Sequence, residues 1–245
     1  MPNTEQTNAK NLDNLRTANS IVESIGASFN PNNNLIKLAA LETFEDECTA
    51  ALQAVNDALP VEKNAVDARM ASFKQISKRV TRILNAAKGQ GISGEALETL
   101  RTLANEIRGI RVTPKTPDDP LTPGVDESQQ SVSGSNRSYS GILDALDQFI
   151  KQLKSNPDYK PNEEEYKPAT LDAWLAELNA LNQAAISAKP AVSAARAARD
   201  AKMYSPTDGI NARMNALKSY VSTILPRSDP RYTQLKKLRF VDLSK

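Results

Sequence analysis

The chain has no histidine and a single cysteine, Cys48, and these two shortages exclude more chemistry than any other feature of its 245 residues. One thiol cannot form an internal disulfide, and a zinc site of the cysteine–histidine kind has no ligands to use. Ser-His-Asp and Cys-His nucleophile pairs go with the histidine, as does the Glu-x-x-His ligand set of a di-metal bundle. Aromatic residues make up 5% of the chain and there are nine glycines, none of them arranged as a phosphate-binding loop. Neither sign of charge is in excess: 31 Lys and Arg stand against 29 Asp and Glu, a net charge of +2. The molecule as a whole therefore has no strong pull toward nucleic acid or an anionic membrane. No apolar run reaches the length of a bilayer span, and the polar opening from Met1 to Asn8 lacks the regions of a signal peptide. The expectation is a soluble, cytoplasmic protein with no cofactor, no metal and no catalytic activity.

What the chain has in abundance is Ala, Leu, Asn, Lys and Glu, a mixture that favours helix. One long helical stretch, Leu41 to Lys88, occurs twice. Leu41 matches Leu171, Phe44 matches Trp174, Glu47 matches Glu177, and Pro60 matches Pro190. In the same register Pro31-Asn32 meets Pro161-Asn162, Ala68-Arg69 meets Ala198-Arg199, and Asn85-Ala86 meets Asn215-Ala216. Alanine identities are cheap, but the Pro, Arg, Glu and Asn matches in one frame point to an internal duplication.

Taken in order, residues 1–11 read as a solvated tail, and Leu12, Leu15, Ile21, Val22 and Ile25 as a short amphipathic helix ended near Gly26. Asn/Pro clusters at 30–34 and 156–162 read as turns. After each cluster the apolar positions recur three and four apart (Leu38, Leu41, Phe44, Cys48, Leu52, Val55), the mark of a buried helix face. Because that phase continues through Pro60, one kinked helix is expected there in preference to a hairpin, although an interior proline costs ~3 kcal/mol. Breakers at 204–209 place the next turn, and Lys74–Ser77 its counterpart. Helices carrying Val80, Ile83 and Ala87, then Leu97, Leu100 and Leu103, complete the first copy. The segment 112–137, with prolines at 114, 117, 120 and 123, has the composition of a flexible linker. The domain reading is thus a tail (1–11), a first repeat (12–111), a disordered linker (112–137) and a second repeat (138–245) sharing one core with the first. The expected fold is all-α: an elongated, pseudo-two-fold helical bundle of two tandem copies, each a long helix plus two shorter ones.

Five stretches carry a resemblance. Phe29-x-Pro-Asn, Ala68-Arg69, Leu84-Asn85-Ala86, Tyr159-x-Pro-Asn-Glu163 and Gln234-Leu-Lys-Lys-Leu-Arg-Phe240 resemble an uncharacterised family of duplicated, all-helical bacterial proteins. The resemblance implies the fold and a bacterial setting, and no activity.

Two sets of charged residues are candidate sites. Glu47 and Arg69 recur as Glu177 and Arg199. If the long helices pack antiparallel about Ala58 and Ala188, Glu47 meets Arg199 and Arg69 meets Glu177. The plainer and preferred alternative has both arginines reaching solvent along their stems and both glutamates at the surface. The second set is a basic stripe of Lys74, Lys78, Arg79 and Arg82, a candidate anion site; the second copy has Tyr204, Asp208 and Ala212 at the matching places, and an ordinary solvated helix face is the plainer reading. Nucleic acid is disfavoured because no aromatic side chains are interleaved for base stacking. Cys48 reads as a small core residue, and Trp174, in Phe44's place, as packing. The function expected is a non-catalytic structural or protein-interaction module, self-associating or bound to a partner. The alternatives are a membrane-active helical protein, for which no strongly apolar hairpin is visible, and a polyanion binder using the Lys74–Arg82 stripe.

Overall fold

The computed structural model describes residues 4–110 and 138–243, and every regular element among them is helical. The expected linker, 112–137, lies outside the described residues. The first helix, α1 (Thr4–Ile25), corrects the expected tail. Asn8 and Asn11 continue, toward the N-terminus, the three-four spacing of Leu15, Ala18, Val22 and Ile25, and all six are buried. Asparagine at two core positions is invisible to a hydropathy pattern, which is why the helix seemed to begin later. Gly26, at φ +67°, ends it, since the left-handed region carries no Cβ penalty for glycine.

The Asn/Pro turns close in short 3₁₀ turns at Asn34–Ile36 and Glu164–Tyr166, and the long helices follow: α2 (Leu38–Lys74) and, in the second half, α6 (Pro168–Met203). Both helices run through their prolines, Pro60 and Pro190. The two rings are exposed, so the carbonyl one turn earlier that loses its donor can be solvated. Between the long helices lie α3 (Ile76–Gly89), α4 (Gly94–Arg108, capped by the Ser93 hydroxyl) and α5 (Tyr139–Ser155). The chain ends with α7 (Ile210–Ile224) and α8 (Pro230–Lys237). Asp229 caps α8 by accepting from the Arg231 amide, with Pro230 at the first helical position, where its missing N–H goes unused anyway.

The residues form two compact units, and neither follows the halves of the sequence. The first comprises Met1–Glu62 with Ala188–Lys245, the second Lys63–Ser187. Each long helix is therefore divided: α2 begins in the first unit and ends in the second, and α6 does the reverse. The single shared core expected from the sequence is replaced by two buried clusters. One joins Leu15, Leu41, Phe44 and Cys48 to Met203, Met214, Leu217 and Leu235. The other joins Val80, Ile83 and Leu100 to Phe149, Leu153, Leu171 and Trp174. Each cluster thus takes the start of one half of the chain and the end of the other.

The buried faces of α3 and α7 match in a frame different from that of the long helices. Ile76, Val80, Ile83 and Ala87 are buried in α3, and Ile210, Met214, Leu217 and Val221 in α7. Leu41 and Leu171 lie 130 residues apart, but Ile83 and Leu217 lie 134 apart. The cause is the preceding turn. A single residue, Gln75, separates α2 from α3, whereas Tyr204–Gly209 separates α6 from α7. A Cβ on Gly209 would lie 2.5 Å from the Ser205 carbonyl oxygen, so only glycine fits this tighter path. The turn is five residues longer and α6 ends one residue earlier in the frame than α2, so the frame shifts by four residues, about one helical turn. The Asn85-Ala86 and Asn215-Ala216 identities therefore do not mark equivalent positions in α3 and α7.

Leu217→Ala, at a fully buried site in the first unit, is expected to lower stability by about 2–5 kcal/mol. Because α2 and α6 each contribute to both units, the denaturant transition reported by Trp174 fluorescence, from the second unit, should shift along with it. An unshifted Trp174 transition would mean that the two cores unfold independently.

Candidate functional site

The structure brings together neither of the two ion pairs considered for Glu47, Arg69, Glu177 and Arg199, and the preferred solvent-reaching alternative fails for Arg199. Arg199 is only 2% exposed, and it does not reach solvent. Its guanidinium donates to the Glu5 carboxylate at 2.5 Å and to Asp200 at 2.9 Å; Arg196 also approaches Glu5, at 3.3 Å. Buried beside it, the Tyr204 hydroxyl donates to Asn8 Oδ1 and accepts from Asn11 Nδ2 at 3.0 Å. Asn11 then clasps the backbone of Val241, donating to its carbonyl at 2.8 Å and accepting from its amide at 3.1 Å. Burial raises the Tyr204 hydroxyl above its ordinary range, the Asn11 hydrogen bond opposing it. This polar cluster holds α1, the end of α6 and the C-terminal segment together. It escaped the sequence reading because Glu5, Asn8 and Asn11 lay in the supposed tail.

Glu47 is exposed and pairs with Lys202 at 2.9 Å, one turn beyond the Arg199 expected, so it stays at the surface while Arg199 turns inward toward α1. Arg69 donates to Asn182 at 3.2 Å and lies 4.0 Å over the Tyr139 ring. Glu177 is exposed and makes no ion pair among the described residues. A guanidinium buried among partners, as Arg199 is, costs several kcal/mol if one partner is lost. Cys48 is fully buried, and burial pushes its thiol up to about 12, far from the thiolate needed for nucleophilic work.

The basic stripe sits elsewhere, on the outer face of α3 in the second unit. With Ile76, Val80, Ile83 and Ala87 inward, the helical spacing turns Lys78, Arg82 and Asn85 outward. Across from them runs the Asn156–Tyr166 turn. It is held by Tyr159, whose hydroxyl donates to the Tyr166 carbonyl at 2.7 Å, and by the Lys160 amide, which donates to Gln90 Oε1 at 2.7 Å. Burial pushes the Tyr159 hydroxyl up to about 12. Between helix and turn is a groove with two hollows, about 480 and 380 Å³, both bordered by Arg82 and Tyr166. Arg79 forms part of its wall while its guanidinium lies 4.2 Å over the Trp174 ring. Lys74, at the end of α2, lines neither hollow. The facing wall brings Lys160, Asn162, Glu163 and Glu165 to the site. The sequence reading missed these, having taken the Asn/Pro cluster only as a turn. The Glu165 carboxylate accepts from the Tyr166 hydroxyl and raises it above its usual range.

In the first unit Arg213 and Tyr220 make contacts of their own. Arg213 lies 4.3 Å over the Phe44 ring, as Arg79 does over Trp174, and donates to the carbonyls of Leu35 and Asp208 at 2.6 and 2.7 Å. Tyr220 packs edge-on against Phe29 at 5.3 Å and accepts from the Asn30 amide at 3.1 Å. In the frame of the buried faces, Tyr220 stands where the second unit has Ala86, a residue of the groove wall.

Among the described residues no helix is long and apolar enough to cross a membrane, and no group of three His, Cys, Asp or Glu is placed to hold a metal ion. Comparison with family models, with curated proteins and with solved structures finds no match for this chain, and the site is read from its own residues.

Removing Glu5 should unfold the protein more readily than its partial exposure suggests. Glu5→Gln is expected to lower stability by about 1–3 kcal/mol, and Arg199→Met in the same chain should recover part of the loss in a double-mutant cycle. In addition, an unfolded Cys48 thiol ionises from pH 9.0 and the folded one only near 12. The folded state then binds the extra proton, so stability should fall as pH rises across that window and be untouched by this group below it. Urea denaturation of the wild type and Cys48→Ala between pH 8 and 11, with the slopes compared, measures the contribution.

Proposed function

We propose that the protein is a non-catalytic structural or protein-interaction module, built from two copies of one helical unit that exchange the ends of their long helices. The observation that carries this reading is the reciprocal make-up of the two cores: each takes the start of one half of the chain and the end of the other. Supporting it are matched internal contacts. An arginine lies over an aromatic ring of the other half's long helix in both units, Arg79 on Trp174 and Arg213 on Phe44. Likewise Asn30 donates its turn amide to Tyr220 in α7, and Lys160 donates its own to Gln90, the residue that follows α3. Such an arrangement commits long stretches of backbone to holding helices in a fixed relation, which suits a scaffold. In the second unit Met70 on α2 and Ile186 on α6 are at least 49% exposed, apolar side chains that a partner surface would cover.

Cross-linking in native lysate, followed by purification and mass measurement, tests the reading. The wild type should carry one defined partner, a second copy or another protein, at stoichiometric yield. Met70→Glu with Ile186→Glu should lose it without lowering the melting temperature. Recovery of the wild type alone, with a monomer mass at native concentration, would refute the proposal.

A further inference from the structure

We propose that the groove between α3 and the Asn156–Tyr166 turn binds a small hydroxylated phosphate ester, a chemistry separate from the scaffold reading. The first observation is the space itself. Hollows of about 480 and 380 Å³ share a border at Arg82 and Tyr166, within the range that small ligands occupy. Ala86, a small side chain, borders the larger hollow, whereas Tyr220, at the matching position in the frame of the buried faces, packs on Phe29.

The second observation is charge without partners. Lys78, Arg82 and Lys160 border the groove, and none makes an ion pair among the described residues. Elsewhere the basic side chains that face carboxylates do pair, as Lys154 does with Asp172 and Lys202 with Glu47. Arg82 borders both hollows, and a guanidinium presents the planar fork that matches two phosphate oxygens. Lys78 precedes it by one helical turn and adds a point charge on the same face.

The facing wall sets the rest of the ligand. Glu163 and Glu165 would repel a polyanion that filled the groove, so a nucleic-acid backbone fits poorly. A ligand with one phosphate and several hydroxyls fits both walls. Its phosphate meets Arg82 and Lys78, and its hydroxyls donate to Glu163 and bond to the amides of Asn162 and Gln90. The ring of Tyr166 gives such a molecule an apolar floor.

Trp174, the only tryptophan, lies under Arg79 at the edge of this groove and gives an internal signal. The full chain is titrated with glucose 6-phosphate, inorganic phosphate and glucose at constant ionic strength, following Trp174 emission and calorimetric heat together. The expected result is saturation by glucose 6-phosphate, saturation by inorganic phosphate at roughly tenfold higher concentration, and none by glucose. Arg82→Ala should weaken the sugar phosphate at least about tenfold. Ala86→Tyr, which fills the hollow and leaves every charge in place, should abolish binding. Arg82→Ala changes an exposed side chain and so stands as the deciding variant if Ala86→Tyr does not fold. The proposal is overturned if neither emission nor heat responds, or if potassium chloride reproduces the response. It is equally overturned by unchanged affinity in Arg82→Ala or in folded Ala86→Tyr. Tighter binding of a short single-stranded oligonucleotide than of glucose 6-phosphate also rejects it.

Discussion

Each long helix supplies apolar residues to two cores, and the rest of the structure depends on that sharing. Leu41, Phe44 and Cys48 near the start of α2 are buried in the first unit, while its end reaches the second, where Phe73 packs against the core. In α6 the order is reversed: Leu171, Trp174 and Leu178 in the second unit, Met203 in the first. Neither half of the chain can then close a core alone, because each lacks the face its long helix needs. Continuity through Pro60 and Pro190 follows from the same constraint. A break there would separate the two ends of a helix that different cores hold, and ~3 kcal/mol of local helix disruption is smaller than the apolar burial at either end.

The two units satisfy the same packing demand by different means where the long helices end. In the first, Arg199 is buried with Glu5 and Asp200 in a polar cluster that also fixes the C-terminal segment through Asn11. In the second, Arg69 lies over the Tyr139 ring, and Phe73 packs edge-on to the same ring at 4.8 Å. A charge-paired end and an aromatic end are energetically different solutions. The paired one demands every partner, since an uncompensated buried guanidinium is costly; the aromatic one tolerates loss of any single contact better. Beside the groove α3 carries alanine at 86, where α7, in the frame of the buried faces, carries tyrosine at 220.

Much of the helical architecture was legible in the residues. The three-four spacing located α2 and α6 and carried them through their prolines, and the breakers at 204–209 located the turn before α7. What was not legible fell where polar residues occupy buried positions. Asn8 and Asn11 hid the first two turns of α1, and Glu5, in that hidden stretch, turned out to be the partner of Arg199. For the candidate site, Lys78, Arg79 and Arg82 were visible as a stripe. The facing wall was not, because Lys160, Asn162 and Glu163 lie some eighty residues away and meet α3 only through folding.

Periodicity is a local property, imposed by backbone geometry on whichever residues face inward, so the sequence by itself determined the helical class, most helix ends and the inward faces. Which helices share a core is a property of distant contacts, and only the tertiary structure decided it. It put the start of one half with the end of the other, moved the frame of α7 by one turn relative to α6, and turned Arg199 inward toward Glu5. None of these leaves a periodic trace, because a buried ion pair, a turn of different length and an alanine in place of a tyrosine each change one contact without changing the pattern of the helix that carries it.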